Sequence, residues 1–223
     1  PPTHQPAALS QDTATGDIDS PRAAAGGLTA PILSIYPPAE LDATGASRQT
    51  ADNRIDIVQQ MVADHPDKFA IATSVADVRQ QFVAGLMSLP MGMENGSPIE
   101  GDLANLQHFY DRGIRYLSLS HGKTNHLSDS SYDKTTQWEG ISEFGAEVIR
   151  ETNRLGIMID VSHVSDAAFW KIMDITRTPV IASHSSARHF TPGFERSEER
   201  RVGEEWGGGG GGGGGAGGGG GGG

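Results

Sequence analysis

Short apolar runs alternate with amphipathic stretches from Leu28 to Ser183. Apolar runs bounded by turn signals read as strands, and apolar residues recurring at three- and four-residue spacing read as helices. Strands are predicted at 28–36, 69–73, 86–93, 114–120, 157–162 and 180–183. Helices are predicted at 43–64, 75–83, 103–112, 142–155 and 166–175. The first of these helices has Ile55, Ile57, Val58, Met61 and Val62 as its apolar face. The second opens on Ser74-Val75-Ala76-Asp77, close to a capping box but with Asp in the fourth place. Gly113 and Gly156 stand where helices are expected to close. Pro31 weakens the first strand and Pro90 interrupts the third. Residues 1–26 read as loop, and 121–140 as a long polar loop.

Strands that alternate with helices of this length predict βα units and a parallel sheet, hence an α/β fold. The pattern yields six strands and is cut at both ends, so a closed barrel built from it would be incomplete and would leave open edges. The expected division is a partial barrel domain over 1–196 and a non-native or disordered stretch over 197–223. That last stretch is charged from Ser197 and then glycine from Gly207 to Gly223, apart from Ala216. Such a run has nothing to bury and the highest backbone entropy.

The formal net charge of −11, without a basic stripe, argues against nucleic acid as a partner. The absence of cysteine excludes disulfides and thiolate metal ligands. No apolar run reaches the length of a transmembrane helix, and no signal peptide is seen in a sequence that does not begin with Met.

Two strands end in histidine: Ile157-Met-Ile-Asp-Val-Ser-His163 and Pro179-Val-Ile-Ala-Ser-His184. Two more polar groups follow apolar runs directly. They are Glu94, in Leu89-Pro-Met-Gly-Met-Glu94-Asn-Gly96, and His121, in Ile114-Arg-Tyr-Leu-Ser-Leu-Ser-His121. The glycines beside Glu94 would let another group approach the backbone closely. Parallel strands of a barrel point their C-termini to one face, so these four side chains are expected to converge there. One carboxylate with several imidazoles suits Zn²⁺ or a related borderline metal. A glutamate shared by two metals about 3.5–4 Å apart would make a binuclear hydrolase.

Each residue also has a plainer reading. A single strand-end histidine is more often a surface or capping group, and Glu94 could cap a nearby helix. The shared context of His163 and His184 favours ligation. His126 and Asp129 read as polar loop residues, Asp160 has no assigned role, and His4, His65, His108 and His189 are set aside.

The chain resembles the membrane (renal) dipeptidase family of zinc metallopeptidases, in its bacterial branch, from about Gly16 to Arg196. The resemblance rests on Gly92-Met-Glu-Asn-Gly-Ser-Pro98, Arg115-Tyr-Leu-Ser-Leu-Ser-His121 and Ser142-Glu-Phe-Gly145. It is most specific at Asn153-Arg-Leu-Gly-Ile-Met-Ile-Asp-Val-Ser-His-Val-Ser165 and Pro179-Val-Ile-Ala-Ser-His-Ser-Ser-Ala-Arg188. It implies an α/β fold of the (β/α)8 TIM-like barrel type found in metal-dependent hydrolases. Here that barrel is expected to be incomplete, with the first strand and at least the last two outside this chain.

The implied activity is zinc-dependent hydrolysis of dipeptides, with Glu94 bridging two Zn²⁺ ions and His163 and His184 as ligands of one. His121 would be the catalytic group that hydrogen-bonds substrate or the oxyanion formed from it. Arg196 would bind the free carboxylate of the substrate. The family's His-x-Asp on the first strand, which supplies ligands for the other zinc, is not found at the start of the chain, where His4 is followed by Gln5 and Pro6. The chain by itself is therefore expected to be inactive. A related binuclear amidohydrolase acting on another amide, lactam or lactone is the alternative activity. The implied partner is a dipeptide, a homodimer is left open, and the compartment is undetermined.

Overall fold

The computed structural model describes residues 19–134 and 136–185. The elements are α1 Ser20–Ala25, β1 Leu33–Ile35, α2 Ser47–Asp64, β2 Phe69–Ile71, α3 Val75–Val83, β3 Met87–Leu89 and β4 Met91–Glu94. They continue with α4 Leu103–Asp111, β5 Ile114–Ser118, α5 Glu143–Leu155, β6 Met158–Asp160 and α6 Asp166–Ile175. All strand pairs are parallel. β1, β4, β5 and β6 form one sheet in that order, and β2 and β3 form a separate pair. The sheet continues past β6 through a parallel bridge between Asp160 and Ile181. Among the described residues it forms an open arc, as the sequence pattern predicts.

Capping residues set several helix starts. Ser74, Ser142 and Ser165 each accept a hydrogen bond from the backbone N–H three residues on, which satisfies one of the unpaired donors at a helix N-terminus. α5 ends at Gly156, whose φ of +83° costs a glycine little.

Four expectations are corrected. Within 1–26, read as loop, Ser20–Ala25 form a helix. Asp19 caps it, and its proline lies in the first turn, where the missing N–H has no helical partner to lose. The helix expected from 43 begins at Ser47, after a separate 3-10 turn at Ala39–Thr44 closed by Gly45. The strand expected over 86–93 is two strands. Pro90 has no N–H to donate, its carbonyl accepts from the Leu33 N–H at 2.8 Å, and the chain changes partners there, from β2 to β1 and β5. The strand expected over 180–183 is reduced to the bridge at Ile181.

Helices α4, α5 and α6 bury Leu106, Phe109, Val148, Ile149, Phe169 and Ile172 in the same core as Met91, Met93, Leu117 and Ile159 of the strands. Each such side chain, fully buried, contributes about 1.5–3 kcal/mol. α2 buries Ala51, Ile55, Val58 and Met61, and leaves Ile57 49% exposed. Position 57 lies well off that stripe at 100° per residue.

An ionic cluster ties α2 to α4. Asp52 accepts from His108 Nε2 at 2.8 Å and from Arg112 at 2.7 Å, and Arg112 also reaches Asp56 and Gln59. Burial would raise the Asp52 pKa, but the hydrogen bonds from His108 and Arg112 outweigh it and hold the carboxyl below its usual value. A depressed folded-state pKa stabilises the fold above the unfolded value, near pH 4, and that contribution fades as the pH falls further. Asp52→Asn is expected to lower stability by about 1 kcal/mol at neutral pH, the scale of a partly exposed pair. The gap should close on acidification. Melting curves of both proteins across pH check this, and a gap that widens below pH 4 would contradict it.

Candidate metal centre

Strand register brings the candidate residues together. Glu94 pairs with Ser118, Ser118 with Asp160, and Asp160 with Ile181. Three residues beyond Ser118, Asp160 and Ile181 stand His121, His163 and His184. Three parallel segments thus deliver a histidine at the same height past the same register line. Glu94 closes β4, and Asn95, with φ +114°, turns the chain away.

The side chains meet. Glu94 Oε1 lies 3.1 Å from His163 Nε2, 3.2 Å from His184 Nε2 and 3.3 Å from His121 Nε2. The two Nε2 atoms of His163 and His184 are 2.6 Å apart. The Ser34 hydroxyl donates to Glu94 Oε2. The ring of Tyr36 packs 4.4 Å from that of His121. His163 is buried and adopts φ +69°, a left-handed conformation that costs a side-chain-bearing residue about 1–2 kcal/mol. Its backbone is held there by the long loop: the Ser131 N–H donates to the His163 carbonyl at 2.9 Å, and the Ser165 N–H to the Asp129 carbonyl at 3.1 Å.

Hydrogen bonds with His121 and His163 hold the Glu94 carboxyl well below the usual carboxylate range, against the burial that opposes them. The Tyr116 hydroxyl is pushed up to about 12, by burial first and then by the Glu94 and Asp160 charges. Gly92 shows why a glycine precedes this carboxylate. A Cβ there would lie 1.9 Å from the Tyr116 ring.

Glu94, His121 and His163 offer ligand atoms all within 4.8 Å of one another, a group able to hold a metal ion. Tetrahedral Zn²⁺ with bonds of about 2.0–2.1 Å has donor–donor edges of about 3.3 Å. The distances from Glu94 match this, and the His163–His184 separation is shorter. Imidazole and carboxylate donors without a thiol also suit the metal.

The other ring nitrogens separate His121 from His184. His184 Nδ1 is hydrogen-bonded to Ser183 Oγ at 2.7 Å, the kind of outer contact that orients a metal-bound imidazole. His121 Nδ1 is buried with no hydrogen-bond partner among the described residues.

Glu94, His121, His163 and His184 therefore converge as the strand-end argument predicts. Arg196, His4 and His189 lie outside the described residues. Asp129 is fully buried and structural: its carboxylate accepts from the Gln137, Trp138 and Gly140 backbone N–H groups, pinning the long loop. His126 stacks on Phe144 and accepts weakly from the Gly101 N–H, and burial lowers its pKa. The residue that sequence reasoning passed over is Asp160, fully buried among serines. A signal was present: Leu119-Ser120-His121, Val161-Ser162-His163 and Ala182-Ser183-His184 repeat one Ser-His pattern.

The model of the membrane dipeptidase family (peptidase family M19) matches residues 3–194. The chain belongs to this family. It is 34% identical over 188 residues to the dipeptidase aclJ of Aspergillus oryzae, covering 81% of this chain and 44% of that protein. It is 32% identical to the dipeptidase tcpJ of Claviceps purpurea, covering 79% and 43%. The chain thus spans less than half the length of these relatives. Among solved structures, the probable dipeptidase PvdM of Pseudomonas aeruginosa superposes with a TM-score of 0.78 at 27% identity, over 86% of this chain and 50% of that one. A metallo peptidase of Rhodobacter sphaeroides, liganded with a phosphinate mimic of the dipeptide L-Ala-D-Ala, shares the fold. Its TM-score is 0.73 at 24% identity, covering 82% and 60%.

Proposed function

We propose that the full-length protein is a zinc-dependent dipeptidase, with its centre at the strand ends that carry Glu94, His163 and His184. The observation that carries this reading is the convergence of three imidazole nitrogens on one carboxylate oxygen, each within 3.3 Å. Glu94, His163 and His184 would hold one Zn²⁺, with Glu94 shared by a second. Bound zinc supplies an activated water and polarises the scissile carbonyl.

The chain's own residues do the rest. His121 hydrogen-bonds the substrate carbonyl oxygen and the oxyanion it becomes, with Tyr36 holding the plane of its ring. The oriented Nδ1 of His184 supports its place as a metal ligand. Arg196 binds the free carboxylate of the dipeptide, and residues 197–223 take no part. Relatives named as dipeptidases, and a fold neighbour that holds a dipeptide mimic, support the substrate class.

The test is made on the full-length protein. Zinc is expected to co-purify and to support dipeptide hydrolysis. His163→Ala is expected to weaken zinc binding by about a hundredfold or more, since ligation itself is lost. Metal analysis by mass spectrometry reads the outcome, and an unchanged metal-to-protein ratio in the variant would count against this assignment.

A further inference from the structure

Asp160 is fully buried at the end of β6, and no cation pairs with it among the described residues. A buried carboxylate is costly without partners, and its partners here are all donors. Oδ1 accepts from the backbone N–H groups of Ser162 at 3.2 Å and Ser183 at 3.0 Å, and from Ser162 Oγ at 2.9 Å. Oδ2 accepts from Ser118 Oγ and Ser183 Oγ, both at 2.7 Å. Three serines from three neighbouring segments thus turn their hydroxyl protons toward one carboxylate.

The consequence lies at Ser183. A hydroxyl has a single proton to donate. Ser183 gives that proton to Asp160, so its oxygen has only lone pairs left for His184 Nδ1, 2.7 Å away. The proton in that second hydrogen bond must belong to the imidazole. We propose that Asp160, acting through Ser183, holds His184 in its Nδ1–H tautomer and so presents the Nε2 lone pair to the metal position beside Glu94 and His163.

Asp160 is a positioning residue for a ligand it does not touch, and the inference rests on the metal-centre reading above. The 2.6 Å contact between the Nε2 atoms of His163 and His184 is compatible with it: such a contact needs one donor and one acceptor, and an Nδ1–H His184 can only accept. The opposite tautomer would aim an N–H at the place where a cation must sit. His121, which lacks a partner at Nδ1, has no such device.

The geometry dictates what an isosteric change does. Two backbone N–H groups face Oδ1, so the amide of Asp160→Asn must place its oxygen there and its NH₂ at the Oδ2 position. That NH₂ donates to Ser183 Oγ. The hydroxyl proton is then free to turn to His184 Nδ1, which favours hydrogen on Nε2 of the imidazole. Asp160→Asn is expected to invert the tautomer.

The experiment uses ¹⁵N-histidine-labelled full-length protein, first without metal, with neutral imidazoles assigned by long-range ¹H–¹⁵N correlation. Wild type is expected to show His184 with hydrogen on Nδ1, and Asp160→Asn with hydrogen on Nε2. Ser118→Ala removes one hydrogen bond to Asp160 without touching the relay, and should keep the wild-type tautomer. Ser183→Ala, the milder variant should Asp160→Asn fold poorly, removes the director and should give a mixture.

Zinc competition against a chromophoric chelator follows. Asp160→Asn and Ser183→Ala are expected to bind about 10–100-fold more weakly, and Ser118→Ala as wild type does. A wild-type His184 protonated on Nε2 overturns the proposal. So does Ser183→Ala retaining a pure Nδ1–H form and full zinc affinity. The tautomers are read without metal or substrate, so failure to hydrolyse dipeptides would sink the functional reading alone.

Discussion

Glu94→Gln is expected to lower kcat for dipeptide hydrolysis about a thousandfold or more in the full-length protein, with the fold retained. That corresponds to ~4 kcal/mol in the barrier. The substitution is isosteric, so packing against β5 is preserved, and the amide oxygen can still accept one hydrogen bond. What is lost is charge. Glu94 is the carboxylate on which His121, His163 and His184 all converge, and hydrogen bonds with His121 and His163 hold its pKa down. A neutral amide is a weak ligand for the metal proposed at this centre, and with its oxygen kept 3.1–3.3 Å from the three imidazole nitrogens its NH₂ would stand against the Ser34 hydroxyl. Turnover, zinc content and circular dichroism together check the expectation. Near-normal turnover with an intact spectrum would remove Glu94 from the centre.

Gly145→Ala is expected to be the most damaging small substitution outside the site, costing about 3 kcal/mol or more. Gly145 lies in the first turn of α5, where its N–H donates to the capping Ser142 Oγ at 2.9 Å. A Cβ there would fall 2.2 Å from the carbonyl oxygen of Leu127, a backbone atom with no rotamer to escape through. The loop cannot simply withdraw. The same carbonyl accepts from the Ser142 N–H at 3.0 Å, and the Leu127 N–H is held by Asn125 Oδ1.

Gly156→Ala is the control. It has a φ of +83° and open space around it, so it should cost only about 1–2 kcal/mol. Thermal unfolding of the metal-free proteins measures both. Equal losses would show that the approach of Leu127 is not what demands glycine at 145. Because the loop it presses also carries Asn125 and Asp129, Gly145→Ala should weaken zinc binding as well.

Local chemistry made much of this legible. Alternating short apolar runs and amphipathic stretches need only neighbouring residues to declare themselves, and the elements from Phe69 to Ile175 follow them closely. Helix starts at Ser74, Ser142 and Ser165 are settled within three residues. The strand-end rule placed Glu94, His121, His163 and His184 on one face because parallel strands share a direction. Errors fell where a residue's meaning depends on a distant partner. Pro90 looked like a flaw in one strand. It is the point at which the chain leaves β2 for β1 and β5, a choice made by strands sixty residues apart in sequence or closer.

Residue types and their spacing by themselves determined the βα order, the donor chemistry of the site and the side of the sheet on which it lies. Each follows from periodicity, capping or ligand type. Tertiary structure alone decided the rest. The register that aligns Ser118, Asp160 and Ile181 puts three histidines at one height. Pinning of the long loop by Asp129 holds His163 in a left-handed conformation. The burial of Asp160 among three serines turns an unremarked strand residue into the group that directs His184. The physical reason is the same in each case: a hydrogen bond or a charge acts on whatever lies within about 3 Å, and packing, not sequence distance, determines what that is.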